Sequence, residues 1–187
     1  EGGTPTGISP SAVRYTEPIV LTHSVQVKVR SLSGETWSAL NEAVFSVGPV
    51  AESLRVTELM YHPENDPNSE FIELTNIGAE PVNLNLVQFT NGVTFTFPSI
   101  NLNPGQYVVV VRSTAAFLAH YPGFSGIIAG EYLGALDDAG EGIRLADPVG
   151  TEIQNFNYKD AWYDITDGQG FSLVIRNPAA DLNLWDD

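Results

Sequence analysis

The chain has 187 residues, eight of them Lys or Arg and 23 Asp or Glu, for a formal net charge of −15 at pH 7. Its lack of cysteine excludes disulfides and thiolate chemistry, and no apolar run approaches the ~20 residues of a membrane-spanning helix. The basic patches that neutralise phosphates are missing as well, so no binding to nucleic acid is expected.

The charge is uneven along the chain. Residues 1–52 hold three basic and five acidic side chains, whereas residues 53–187 hold five and 18. The excess belongs to the larger part, where surface solvation is its simplest role. In chain order, the first clear element is a half-buried strand in which Val25, Val27 and Val29 alternate with Gln26, Lys28 and Arg30. Proline and glycine at Gly48 and Pro49 predict a linker over 49–53. Two short strands follow, LRVTELM from Leu54 and FIELTN from Phe71, joined by an acidic loop that Pro63 and Pro67 break. Asn91-Gly92 predicts a tight hairpin next to the alternating Val93, Phe95 and Phe97, and Pro104-Gly105 fits the centre of a type II turn. The run YVVVV from Tyr107 is apolar on both parities and reads as a central strand, with Val109 and Val111 inside the sandwich. Thr114–His120 is the one predicted helix, capped by Ser113 or Thr114 and stopped by Pro122. Short strands with these turns predict an all-β sandwich or barrel, with residues 54–177 in one antiparallel core.

Five motifs stand in a telling order: LRVTELMYHPENDPNSEFIELTN (54–76), EPVNLNLVQFTNG (80–92), LNPGQYVVVVR (102–112), LGALDDAGEGIRLADPVGTEI (133–153) and DGQGFSLVIRN (167–177). Together they resemble the bacterial lamin tail domain, over residues 54–187. The resemblance implies an immunoglobulin-like antiparallel β-sandwich, found as a module of large secreted or surface bacterial proteins, often beside hydrolases or nucleases. That family usually carries a tryptophan-containing strand at its C-terminal end, where this sequence has Leu184-Trp185-Asp186-Asp187. Residues 1–48 are similar to the C-terminal half of the fibronectin-III-like domain that follows the catalytic part of chitobiases and β-hexosaminidases. That similarity rests on Tyr15 to Leu21, VQVKVR and Gly34 to Phe45. It implies a short extra β segment, a fragment of a domain whose upstream strands lie outside this sequence, which must lean on the main body or on a neighbouring chain. The implied function is a non-catalytic interaction, adhesion or spacer module, extracellular or at the cell surface. Its partners would be other domains of the parent protein, a surface protein or a glycan. The alternative is a calcium- or carbohydrate-binding accessory domain of an extracellular hydrolase. No cofactor is required, although calcium is a candidate ion.

Enzyme motifs do not assemble. Gly123-Phe124-Ser125-Gly126 falls short of a nucleophile elbow because Ile127 stands where that turn needs glycine. Asp167-Gly168-Gln169-Gly170 lacks the third glycine of a dinucleotide fingerprint. His23, His62 and His120 have no second histidine two or four places on, and read as surface or packing residues. Carboxylate pairs for glycoside hydrolysis are judged by their separation in space, which sequence does not give. No enzyme is expected.

Three acidic clusters remain: Glu58 with Asp66, Asn68, Glu70 and Glu73; Asp137, Asp138 and Glu141; and Asp164 with Asp167. Calcium takes about six to eight oxygen ligands, and the alternation Asp66, Asn68, Glu70 lets side chains converge. The competing reading is a turn in which Asp and Asn accept hydrogen bonds from their own loop. Strand parity groups Glu58 with Leu54, Val56 and Met60 on an apolar face, where an ionised carboxylate needs donors or a cation. The donors would be loop N–H groups or an arginine such as Arg55 or Arg144, and the cation one shared with Glu73. Trp37, Trp162 and Tyr163, beside glycine and acidic residues, are candidates for stacking on a sugar ring, with core packing as the alternative.

Overall fold

The computed structural model describes residues 8–180 and Trp185. The chain opens with a hairpin of β1 (Val25–Val29) and β4 (Asn41–Phe45), between which β2 (Leu32–Ser33) and β3 (Thr36–Trp37) form a smaller one. A single helical turn, α1 (Val50–Ser53), leads into β5 (Leu54–Met60) and β6 (Phe71–Asn76). There follow β7 (Val82–Asn83), β8 (Gln88–Asn91), β9 (Phe95–Thr96), β10 (Asn101–Leu102) and β11 (Tyr107–Val111). After α2 (Thr114–His120) come β12 (Ile127–Glu131), β13 (Gly142–Ala146), β14 (Glu152–Asn157) and β15 (Leu173–Val174).

Two sheets make the sandwich, one ordered β12-β11-β6-β5-β15 and the other β14-β13-β8-β9. The expected antiparallel all-β sandwich is what forms, with one exception: β12 runs parallel to β11. A parallel neighbour needs a crossover, and α2 supplies it. Ser113 caps this helix through Oγ, which accepts from Ala116 N, as the sequence predicts.

The segment read as a linker over 49–53 contains α1, whose Val50 is 1% exposed and belongs to the main core. That core holds Leu54, Val56, Leu59, Leu74, Val108, Val110, Ile143 and Leu145 between the sheets. Val109 and Val111 are buried, but not there. They lie with Met60, Phe71 and Phe117 in a second cluster, on the face that α2 covers. Both parities of YVVVV are apolar because this sheet is packed on both sides.

Thr57 breaks the alternation of β5. Val56 pairs with Leu74 and Glu58 with Glu73, leaving Thr57 as an extra residue in a β-bulge. Leu54 and Val56 face the main core before it, and Leu59 and Tyr61 after it. Glu58 therefore shares a face with Met60 and not with Leu54 and Val56, which corrects the parity expected from sequence. Beside the bulge, Val56 N–H donates to Gln154 Oε1 at 2.9 Å, so a buried side chain of the opposite sheet serves β5.

Turns behave unevenly. Gly105 takes the positive φ of +72° that the Pro104-Gly105 turn requires. Asn91-Gly92 does not close a two-residue hairpin, because Phe89 pairs with Phe95 and the intervening Asn91 pairs instead with Arg144 on β13. Asn76 is fully buried; its Nδ2 donates to the carbonyls of Glu80 and Leu102, and its Oδ1 accepts from Gly78 N, each at 2.9 Å.

The β1–β4 hairpin has two unlike faces. Lys28 and Gln26 reach Glu42 on one, at 3.4 and 3.2 Å. Val25, Val27, Val29 and Phe45 share the other, where Val29 is 52% and Phe45 45% exposed. The alternation read from sequence is real, but its apolar face is poorly covered. Asn85 Nδ2 donates to Ser24 O at 2.8 Å and ties the hairpin to the sandwich.

Replacing Gln154 with Ala leaves the Val56 N–H buried without an acceptor, and should lower unfolding free energy by about 1–3 kcal/mol. Urea denaturation checks this, and a change within about 0.5 kcal/mol, the range of an ordinary surface substitution, would deny the bulge its dependence on the opposite sheet.

Candidate functional site

The loops at one end of the sandwich converge on Glu70, which is 1% exposed. Strand β6 begins at the next residue, so the carboxylate is held at the mouth of the sheet. Its Oε1 accepts from Arg112 Nη1 at 2.6 Å, and its Oε2 from Tyr132 Oη and Leu136 N, both at 2.9 Å. Three donors from two well-separated parts of the chain thus meet one carboxylate. Burial pushes the Glu70 pKa up, against the pull of those three hydrogen bonds and the Arg112 charge. Tyr132 is held strongly in its protonated form, first by burial and then by Glu70.

Next to this hub, the second and third acidic clusters come together around His62. Its Nδ1 lies 2.6 Å from Asp167 Oδ1, and its Nε2 lies 3.9 Å from Asp138 Oδ2. An ionised carboxylate only accepts, so Nδ1 carries the proton. Tyr61 Oη bonds Thr166 Oγ1 at 3.0 Å, and Tyr158 Oη donates to Asp137 O at 2.8 Å. Gly140 makes this packing possible: at φ +102°, a Cβ there would stand 2.3 Å from Tyr158 O. Glu141 Oε1 accepts from Asp137 N at 3.0 Å and is raised in pKa, chiefly by burial. Nucleophilic catalysis needs a hydroxyl or thiol within reach of the second imidazole nitrogen. Here that position faces Asp138, and His62 clamps two loops. Sequence gave no sign of this, because His62 has no periodic partner and Asp167 is 105 residues away.

The five residues read as a candidate metal site, Glu58, Asp66, Asn68, Glu70 and Glu73, are largely dispersed. Asp66 Oδ1 accepts from Asn68 N and Nδ2, both at 2.9 Å, in a local turn. Glu70 faces its three donors, and Glu58 Oε1 accepts from Ser172 Oγ. Of the three glutamates, Glu58 and Glu73 are neighbours, as cross-strand partners. Glu73 accepts from Thr57 Oγ1 at 2.7 Å; burial raises its pKa, and the Glu58 charge adds to that. Among the described residues no group of three or more His, Cys, Asp or Glu is placed to hold a metal ion. The geometry favours the hydrogen-bonded turn, because the bulge and the start of β6 aim these side chains at different partners.

The aromatic candidates separate too. Trp37 is half-buried in the β2–β3 hairpin, and Trp162 packs against the main core. Tyr163 is 52% exposed and lines a groove of about 270 Å³ with Ile165, Ser172, Val174, Arg176 and Trp185. The Trp185 ring stacks on Phe156 with centroids 4.4 Å apart and planes 5° from parallel. It is 8% exposed, and its Nε1 is buried without a hydrogen-bond partner among the described residues.

An immunoglobulin-like β-sandwich whose loops are cross-tied by buried polar groups defines the class: a compact module. Residues 49–160 match the lamin tail domain, and the chain belongs to that family, whose members are generally non-catalytic interaction modules. No curated protein matches the chain. No solved structure matches it either.

Arg112→Met should cost about 3 kcal/mol of stability, since it strands a buried carboxylate. Chemical denaturation measures it, and a loss under about 1 kcal/mol would mark the pair as an ordinary surface bridge. Glu70, Glu73 and Glu141 all have raised pKa values, so the folded state holds protons more tightly than the unfolded one. Their stabilising contribution is full below the ordinary glutamate range and is lost as pH rises through the raised values. The thermal midpoint should therefore climb on acidification from pH 7 to about pH 5, and Glu73→Gln should flatten part of that slope.

Proposed function

We propose that this lamin tail domain serves as a non-catalytic interaction, adhesion or spacer module of a secreted or surface-exposed bacterial multidomain protein. Residues 1–48, by their similarity to half a fibronectin-III-like domain, join it to the rest of that protein. The observation that carries this reading is the β1–β4 hairpin, which presents Val29 and Phe45 to solvent while tied to the sandwich at Ser24. A two-stranded hairpin is marginal in water on its own, so an uncovered apolar face suits a segment that finishes its packing against a neighbour. The acidic surface of the sandwich keeps such a module dispersed.

A second reading, a carbohydrate-binding accessory domain, is favoured by the exposure of Tyr163 beside a groove. The two readings separate experimentally. Binding of a hydrophobic reporter dye should fall in Val29→Lys/Phe45→Lys with the unfolding midpoint unchanged. A glycan array probed with the chain and with its Tyr163→Ala and Trp37→Ala variants tests the second reading. Turnover in a panel of chromogenic glycoside, ester and phosphodiester substrates would overturn both.

A further inference from the structure

Among the described residues, strand β15 is one edge of the five-stranded sheet. Its Ile175 N donates to Thr57 O at 3.0 Å, and Leu173 pairs with Leu59. Antiparallel alternation then turns the N–H and C=O of Val174, between them, away from β5 toward the free side. That side opens into the groove beside Trp185. Two kinds of unmet demand coincide there. One is the outward backbone of Val174. The other is Arg176, which has no hydrogen bond or ion pair among the described residues, whereas Arg55, Arg112 and Arg144 bond acceptors of the chain itself. Val174 and Ile165 add exposed apolar side chains, at 62% and 52%.

Two of the groove's hydroxyls are already engaged. Ser172 Oγ is committed to Glu58, and Thr166 Oγ1 donates to Tyr163 O. Apart from the Val174 backbone and the Tyr163 hydroxyl, which can donate or accept, the free polar group of the groove among the described residues is the Arg176 cation. A sugar would use the groove's aromatic ring but leave the strand edge open, and a second copy of so acidic a chain would bring like charge against like.

We propose that the β15 edge and its groove bind an extended peptide strand of a partner protein, added to the sheet beside Val174 and carrying a carboxylate that pairs with Arg176. Backbone pairing supplies the alignment, and the alternate side chains of the added strand rest on Ile165 and Val174. The proposal deepens the interaction reading above and rests on it.

The test is selection of a phage-displayed random decapeptide library on the immobilised full chain, followed by titration of the enriched peptides as synthetic ligands. Enriched sequences should alternate apolar residues around one Asp or Glu, and should shift amide resonances of residues 172–176. Val174→Pro removes an outward N–H that β5 does not use, a change edge strands accept. Arg176→Gln removes the charge. Each should retain the parent unfolding midpoint and weaken peptide binding about tenfold or more, the scale of one lost charge-assisted contact. Val29→Lys/Phe45→Lys should bind the peptides normally, so failure of the hairpin reading is told apart from failure here. No enrichment, undiminished binding by correctly folded Val174→Pro and Arg176→Gln, or resonance shifts confined to other surfaces would overturn the proposal. So would concentration-dependent dimerisation through this edge, which would name a second copy as its occupant.

Discussion

A carboxylate taken out of water at Glu70 constrains the loop end of this protein. Desolvating one charge costs several kcal/mol, so the folded state requires that its donors arrive together. Arg112 comes from the end of β11, Tyr132 and Leu136 from the segment after β12. None of these donors is close to Glu70 in sequence, and each is useless to it until the sheet has formed. The interaction therefore acts less as a source of net stability than as a demand that one loop arrangement be adopted. The clamp of His62 on Asp167, and of Tyr158 on Asp137, sits against this frame and extends it to the loops around β14.

A second constraint is the bulge at Thr57. One extra residue reverses the facing of half a strand, bringing Leu59 and Tyr61 into the main core and Glu58 onto the face covered by α2. It also aims Glu58 at Ser172 and Thr57 at Glu73. The polar end of β5 is thereby linked to the segment leading into β15, while Gln154 holds the other side of the bulge from the opposite sheet. A local irregularity thus connects the sandwich interior, its covered outer face and its free edge.

These two constraints leave a body cross-tied at its loop end and unfinished at two others. The apolar face of the β1–β4 hairpin and the outward side of β15 both present groups that folded proteins normally cover. Buried acid is matched internally, yet among the described residues Arg176, the Trp185 indole and the Arg55 Nε are not. For a member of a family of generally non-catalytic interaction modules, the unmatched groups carry more information than the matched ones.

Much of the fold was legible in the sequence because its signals are local. Alternation in VTFTF, the double-sided apolar run of β11, the Ser113 cap and the Pro104-Gly105 turn each need only a few neighbouring residues to act. The ordered motifs carried the family. Parity, in contrast, failed at Thr57, since a bulge is decided by what the partner strand and the opposite sheet can satisfy. Val109 and Val111 were read correctly as buried and placed on the wrong side, because no pattern within five residues says that α2 will cover the second face. The candidate site was less legible still. Glu70, Asp66 and Glu58 share a short stretch of chain but belong to three different contacts, and His62 finds its carboxylate 105 residues away. Sequence by itself determined which segments are strands, where they turn and how acidic their surface is, since these follow from periodicity and composition. Only the tertiary structure decided which charges are paired and which donors stay unmet, because desolvation and hydrogen-bond geometry exist only once distant strands are in contact.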